Sequence, residues 1–354
     1  MKGLILSGGK GTRLRPLTFT QAKQLVPVAN KPVLFYGIEA LRDAGVKELG
    51  IVVGETRDEI KEAAGDGSRW GLRITYLEQE APLGLAHAVK ISRGFLKDEP
   101  FVMYLGDNIL KSGIVSLVRE FEAKKPNAMI LLTPVPDPTL FGVAELAGGK
   151  VVRLVEKPKE PKSNLALVGV YLFDSNVFKA VEAIKPSWRN ELEITDAIQY
   201  LVEKGYEVQP HLVGGWWKDT GKLEDMLEAN RLILETIVTR VEGEVDAESR
   251  VSGQVVIEKG VVVRKATIRG PAIIGEGSEV SDAYIGPFTA IGRSCRIVVT
   301  EIEHSIVLEG SEVLDIGGRV DESLIGREVK IYKCPPKPSV FRFMVGYKSE
   351  IGVK

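Results

Sequence analysis

Up to about residue 215 the chain alternates short apolar runs with stretches whose apolar positions recur every three or four residues. LILS, LGIVVG, RITYLEQ, PFVMYLGD and AMILLTP read as strands. Between them KPVLFYGIEALRDAG, TRDEIKEAA, GLAHAVKISRGF and GIVSLVREFEAK carry the 3.6-residue spacing of helices. This alternation predicts an α/β domain, a Rossmann-like, mostly parallel sheet with helices on both faces. Ligands of such sheets gather at the carboxyl ends of the strands. Two breaks fall at that end: the glycine loop after Leu6, and LGDN after Tyr104. TGKLEDMLEANRLILETIV then reads as one long amphipathic helix leading out of a first domain spanning 1–240.

Past it the period changes. In blocks of seventeen from Val251, the first column holds Val251, Ile268, Ile285, Ile302 and finally Arg319. The seventh holds Ile257, Ile274, Ile291, Leu308 and Ile325, and the thirteenth Val263, Val280, Ile297, Leu314 and Ile331. Three aliphatic columns describe a coil with three flat faces, each stacking an aliphatic on the next coil. That is a parallel β-helix, here 241–333, in which one coil alone cannot bury its inward residues. A sandwich of short strands is the alternative. The tail, 334–354, leaves the repeat and is expected to cap the open end of the solenoid.

Composition narrows the function little. Apolar residues at 44% and charged residues at 27% describe an ordinary globular chain, and 354 residues suit two domains. The net charge of −1 suggests neither a nucleic-acid nor a membrane partner. Cys295 and Cys334 fit no metal spacing or disulfide framework. No secretory leader precedes the first strand, so a cytoplasmic protein is expected.

The chemistry concentrates in GGKGTRLR. It is not a P-loop, since no Gly-Lys-Ser/Thr follows at the required spacing. It is not a dinucleotide fingerprint either, since Leu14 stands where a third glycine belongs. What remains is a strand-to-loop turn whose glycines let backbone N–H groups approach an anion, with Arg13 as a bidentate fork and Lys23 as a point charge. A triphosphate suits that set of donors. Asp107 in LGDN and Asp219 in WWKDTG stand at strand ends, as carboxylates that hold Mg²⁺ beside a nucleotide do, although either alone could be a turn residue. With three histidines in the chain and no Ser–His–Asp or Cys–His set, the pattern favours phosphoryl or nucleotidyl transfer by positioning and charge neutralisation.

The string GGKGTRLRPLT…KQLVPVANKP, followed by QEAPLGLAHAV, LGDN, FGV, EKP and DTG, resembles the sugar-1-phosphate nucleotidyltransferases. Within them it is most similar to the long form of the glucose-1-phosphate thymidylyltransferases, which carries a C-terminal left-handed β-helix. The resemblance implies Mg²⁺-dependent attack of a sugar 1-phosphate on the α-phosphorus of dTTP, giving a nucleotide sugar and pyrophosphate. It assigns the triphosphate to Gly8, Gly9, Gly11, Thr12 and Arg13, with Arg13 stabilising the departing pyrophosphate. Lys23 falls to the α-phosphate, Asp107 and Asp219 to the metal, and Lys157 to the sugar phosphate. Asn108, Gly142, Glu156 and Tyr171 fall to the hexose, and Gln24, Gln79 and Gly84 to the base. A glutamine amide matches the O4 and N3–H edge of thymine or uracil, so UTP is the alternative to dTTP, with a hexose 1-phosphate as the other substrate. The β-helix is expected to assemble a homo-oligomer. A bifunctional acetyltransferase using His304, and a non-catalytic regulatory subunit, are the further alternatives.

Overall fold

The computed structural model describes residues 1–9 and 11–334. They form two compact units. The first comprises Met1–Gly11, Gln21–Val26 and Pro32–Gly221; the second takes Thr12–Thr20, Pro27–Lys31 and the chain from Lys222 onward.

In the first unit every apolar run read as a strand is one. β1 (Lys2–Ser7) is fully buried; next along the chain come the short strands β2 (Pro27–Val28), which belongs to the second unit, and β3 (Lys31–Pro32), where the chain returns to the first. Then come β4 (Glu48–Val53), β5 (Arg73–Glu78), β6 (Phe101–Leu105) and β7 (Asn108–Leu110). β8 (Ala128–Pro134), β9 (Gly142–Ala147), β10 (Lys150–Glu156), β11 (Leu165–Phe173), β12 (Val208–Leu212) and β13 (Trp217–Asp219) complete the unit. The main sheet has the order β10-β9-β11-β6-β1-β4-β5, with β8 pairing β11 and β12.

The parallel part is β6-β1-β4-β5, built by crossovers through α1 (Val33–Asp43), α2 (Arg57–Ala64), α3 (Leu85–Ile91) and α4 (Arg93–Leu96). Beyond it the sheet is mixed, because β11 enters antiparallel to β6 and β8 after the β9–β10 hairpin. Helices α5 (Val115–Lys124), α6 (Val177–Ala183) and α7 (Ile194–Glu203) follow. Two apolar layers bury the sheet: Leu4, Leu6, Met103 and Phe173 belong to one, and Ile5, Tyr104, Val170 and Leu172, offset by one residue, to the other. The alternation of a strand buried on both faces produces that division.

The second unit is a three-sided parallel β-helix of short strands, in ladders of six, six and five. Val251↔Ile268↔Ile285↔Ile302, Ile257↔Ile274↔Ile291 and Val263↔Val280↔Ile297 pair as the seventeen-residue period requires. The fixed period then fails. Ile291 pairs with Val307, Ile297 with Val313 and Ile302 with Val320, so Leu308, Leu314 and Arg319 leave their columns. The corner from Ile302 to Val307 is one residue shorter than its counterpart from Ile285 to Ile291, and the corner holding Gly317 and Gly318 is longer. Arg319 in an aliphatic column was the sign of that slip. Val313 is fully buried, whereas Leu314 is half-buried. Val313→Ala should therefore cost about 2 kcal/mol in chemical denaturation and Leu314→Ala under about 1 kcal/mol. Equal costs would restore the unbroken period.

The expected exit helix is α8 (Leu223–Leu234), twelve residues long and part of this second unit. Leu234 packs with Val256 and Ile273, and Asn230 donates to Phe288 O at 2.9 Å and accepts from Ala29 N at 2.9 Å. Cys295 is buried and Cys334 exposed; both are free thiols. Residues 335–354, where most of the expected cap falls, lie outside the described residues. Among the described residues no helix is long and apolar enough to cross a membrane.

Candidate functional site

β1 ends at Ser7, and Gly8 and Gly9 carry the chain off the sheet edge. A Cβ on Gly9 would come within 3.2 Å of Lys23 Cε and 3.4 Å of its Nζ, so the absent side chain is what lets the lysine pass beneath the loop. Gly11 adopts φ +62°, the left-handed region that glycine enters at least cost. Thr12 and Arg13 are exposed residues of a 3₁₀ turn, Thr12–Leu14, of the second unit, whose Leu14 is buried.

Lys23 Nζ donates to Asp107 Oδ2, and both side chains are about one-seventh exposed, at 15% and 14%. Asp107 Oδ1 accepts from Asn108 Nδ2 at 2.9 Å. Asn108 is 2% exposed, and its Oδ1 accepts from Trp217 Nε1 at 2.5 Å and Gly169 N at 3.3 Å. Burial pushes the Asp107 carboxyl up, but the Lys23 ammonium and the Asn108 amide outweigh it and hold the group below the usual carboxylate range. The antiparallel pair β7–β13 sets Asp219 opposite Asn108, and Thr220 fastens the junction by donating its N–H and hydroxyl to Asp107 O at 2.9 and 2.8 Å. Two acidic residues thus stand at neighbouring strand ends, and one of them, Asp107, is paired with an ammonium. That donor set, hard oxygens with charge to spare for phosphate, suits Mg²⁺.

Gln79 follows β5. Its Nε2 lies 3.2 Å from Gly84 O and 3.0 Å from His87 Nδ1. Gly84 needs to be glycine: φ is +101°, and a Cβ would meet Leu192 O at 2.3 Å. The close approach is stapled by Leu192 N donating to Leu83 O and Ala86 N donating to Leu192 O. Gln24 is 1% exposed, and its Oε1 is a buried acceptor without a hydrogen-bond donor among the described residues, one that a ligand N–H would satisfy.

Gly142 and Glu156 face each other across the β9–β10 hairpin. A Cβ on Gly142 would meet Thr195 Cγ2 at 2.6 Å and Glu156 Oε2 at 3.1 Å. Glu156 Oε2 accepts from Thr195 Oγ1 at 3.3 Å, and Arg189 Nη1 stands 3.5 Å from Oε1. Burial and the Glu193 charge raise the Glu156 carboxyl, with Lys157 and Arg189 offsetting part of the rise. Tyr171 is buried in β11, stacked on Phe173, its phenol held high by burial and by the Glu156 charge. Lys157 is exposed at φ +44°, its N–H donating to Phe141 O at 3.0 Å.

Sequence reasoning missed Arg189, which also pairs with Glu191 and Glu193. The only signal was one arginine among acids in WRNELE. It also missed that Asn108 and Trp217 are bonded to each other. Of the two adjacent tryptophans, Trp217 packs against the apolar layer and edge-on to Phe141. In the β-helix, His304 stacks on Phe288 at 5.3 Å and lies 3.2 Å from Asp321 Oδ1. Glu303 beside it is held by Arg319 at 2.7 Å.

A family model described as nucleotidyl transferase matches residues 2–236. A glucose-1-phosphate thymidylyltransferase of Streptomyces griseus is 53% identical over 347 residues, covering 98% of this chain and 98% of that protein. Another, of Streptomyces antibioticus, is 53% identical over 356 residues, covering 100% of both. A solved structure from Bacillus anthracis, assigned as a glucose-1-phosphate thymidylyltransferase and bound to sucrose, is similar with a TM-score of 0.62 at 37% identity. It covers 66% of this chain and 94% of its own.

Proposed function

Because the chain belongs to the nucleotidyl transferase family, we propose that it transfers the thymidylyl group of dTTP to glucose 1-phosphate, releasing pyrophosphate. The observation that carries this reading is the Lys23–Asp107 pair beneath Gly9, which gathers a cation, a carboxylate and a side-chain-free loop at the carboxyl end of β1. Gly8, Gly9, Gly11, Thr12 and Arg13 hold the triphosphate, and Arg13 stabilises the pyrophosphate as it departs. Lys23 neutralises the α-phosphate. Lys157 holds the sugar phosphate so that its oxygen attacks in line; such positioning is the main resource of an enzyme that forms no covalent intermediate.

Enzymes of this family generally use a divalent metal. In this chain Asp107 and Asp219 would hold Mg²⁺, which when bound neutralises phosphate charge. Gly142, Glu156 and Tyr171 surround the hexose. The Asn108 amide is largely engaged by Trp217, Gly169 and Asp107, which supports a part in holding Asp107; a place facing the sugar rests on the family resemblance. Gln24, Gln79 and Gly84 face the base. We further propose a catalytic domain spanning 1–240, a β-helix spanning 241–333 that assembles subunits, and a cytoplasmic setting.

The test is pyrophosphate release from glucose 1-phosphate with dTTP, UTP, CTP, GTP and ATP, with and without Mg²⁺. The expected result is Mg²⁺-dependent release with dTTP in clear excess over CTP and the purines. Thymine and uracil share one edge, and the methyl is worth about 1–3 kcal/mol in an apolar pocket, so UTP is the competitor to watch. No release with any nucleotide would overturn the reading.

A further inference from the structure

The orientation of the Gln79 amide is set by its protein neighbours. Gly84 O is a backbone carbonyl and can only accept, so the atom 3.2 Å from it is Nε2 and not Oε1. The second amide hydrogen then points at His87 Nδ1, 3.0 Å away. For that contact to be a hydrogen bond, Nδ1 has to carry a lone pair, with the ring proton on Nε2. Burial and the neighbouring Lys90 hold the imidazole below its ordinary pKa, so at neutral pH it is uncharged and has that lone pair. With both amide hydrogens engaged, Gln79 offers a single free function, Oε1. It lies by Gly8, where a Cβ would be 3.4 Å from it. The side of this amide that faces Gly8 is a pure acceptor.

A pyrimidine with N3–H, thymine or uracil, can donate to that oxygen. Cytosine offers a lone pair at N3 and meets it with repulsion. We propose that His87 is a positioning residue for nucleotide choice: its Nδ1 and Gly84 O together lock the Gln79 amide oxygen outward, so that the site takes bases bearing N3–H and refuses cytosine. Nothing in GLAHAV betrays this, since a histidine one turn into a helix reads as packing. The proposal rests on the reading that Gln79 faces the base, and it adds what fixes the sense of that contact.

The experiment compares kcat/KM for dTTP and for CTP, with glucose 1-phosphate as acceptor, in the wild type, His87→Leu, His87→Asp and Gln79→Leu. An Asp carboxylate oxygen stands as many bonds from Cβ as Nδ1 does and can only accept, so it should keep the lock. Leu removes one of the two acceptors and leaves Gly84 O alone to oppose a turn of the NH₂ toward cytosine, so the lock weakens. The dTTP-to-CTP ratio is expected to fall about fivefold in His87→Leu, mostly through a gain with CTP. It should stay within about twofold of the wild type in His87→Asp. A ratio unchanged in His87→Leu but lost in Gln79→Leu would overturn the role of His87 while leaving Gln79 as base reader. Equal losses in the Leu and Asp variants would make His87 a packing residue and overturn the proposal. A ratio unchanged in Gln79→Leu would remove Gln79 from the base, and the reading beneath the proposal with it.

Discussion

Asp107→Asn is expected to lower pyrophosphate release by about 10³-fold while leaving the fold intact. The substitution is isosteric, so the contact from Asn108 Nδ2 can persist on the remaining oxygen and Thr220 still donates to the backbone carbonyl of residue 107. What disappears is a negative charge that two sites share. Lys23 loses the charge of this carboxylate, and the proposed metal site keeps only Asp219. Circular dichroism should be unchanged and the loss of stability about 3 kcal/mol at most, since the buried Lys23 ammonium loses this carboxylate without a change of shape. Binding of Mn²⁺, followed by its paramagnetic signal in the presence of dTTP, should weaken in parallel with turnover. Near-normal turnover would remove Asp107 from the metal site.

The sequence made the scaffold readable because strands buried on both faces announce themselves as continuous apolar runs, and because a solenoid repeats. Leu4 to Leu6 and Phe101 to Tyr104 are of the first kind. Val251 to Ile302 are of the second, and their ladder fell where the period put it. The limits were equally physical. A fixed period carries no information on a corner that loses a residue at Ile302–Val307 and another that gains two before Val320, so three core positions were assigned one place off. The antiparallel entry of β11 was equally hidden, since strand direction leaves no trace in local hydropathy.

At the candidate site, residues whose chemistry is local were legible: glycines that must approach closely, and carboxylates at strand ends. Contacts between distant segments were not. Arg189 reaches Glu156, and Trp217 reaches Asn108, across stretches of chain whose spacing follows no motif.

Lys23→Met should destabilise the first unit, and its cost should depend on pH with a definite sign. In the wild type, burial alone would raise the Asp107 carboxyl, and Lys23 with Asn108 reverses that. A depressed folded-state pKa means that the pair contributes stability above the unfolded value of about 4 and loses it as pH falls through the folded value. Remove the ammonium, and desolvation, the largest influence on the group, no longer meets its main opponent. Asp107 then has a folded-state pKa above the unfolded one, so the variant is penalised at neutral pH and relieved as the carboxyl takes up a proton. The loss should be about 3 kcal/mol at pH 7, the low end for a broken buried pair because both side chains keep some exposure. It should shrink steadily toward pH 4, reaching under about 1 kcal/mol. Denaturation curves at a series of pH values read this directly. Lys23→Met combined with Asp107→Asn should recover most of the neutral-pH loss, because no uncompensated charge is left to bury, yet regain no turnover. A pH-independent loss in Lys23→Met would mean that Lys23 acts by packing under Gly9, and that the charge of Asp107 is balanced elsewhere.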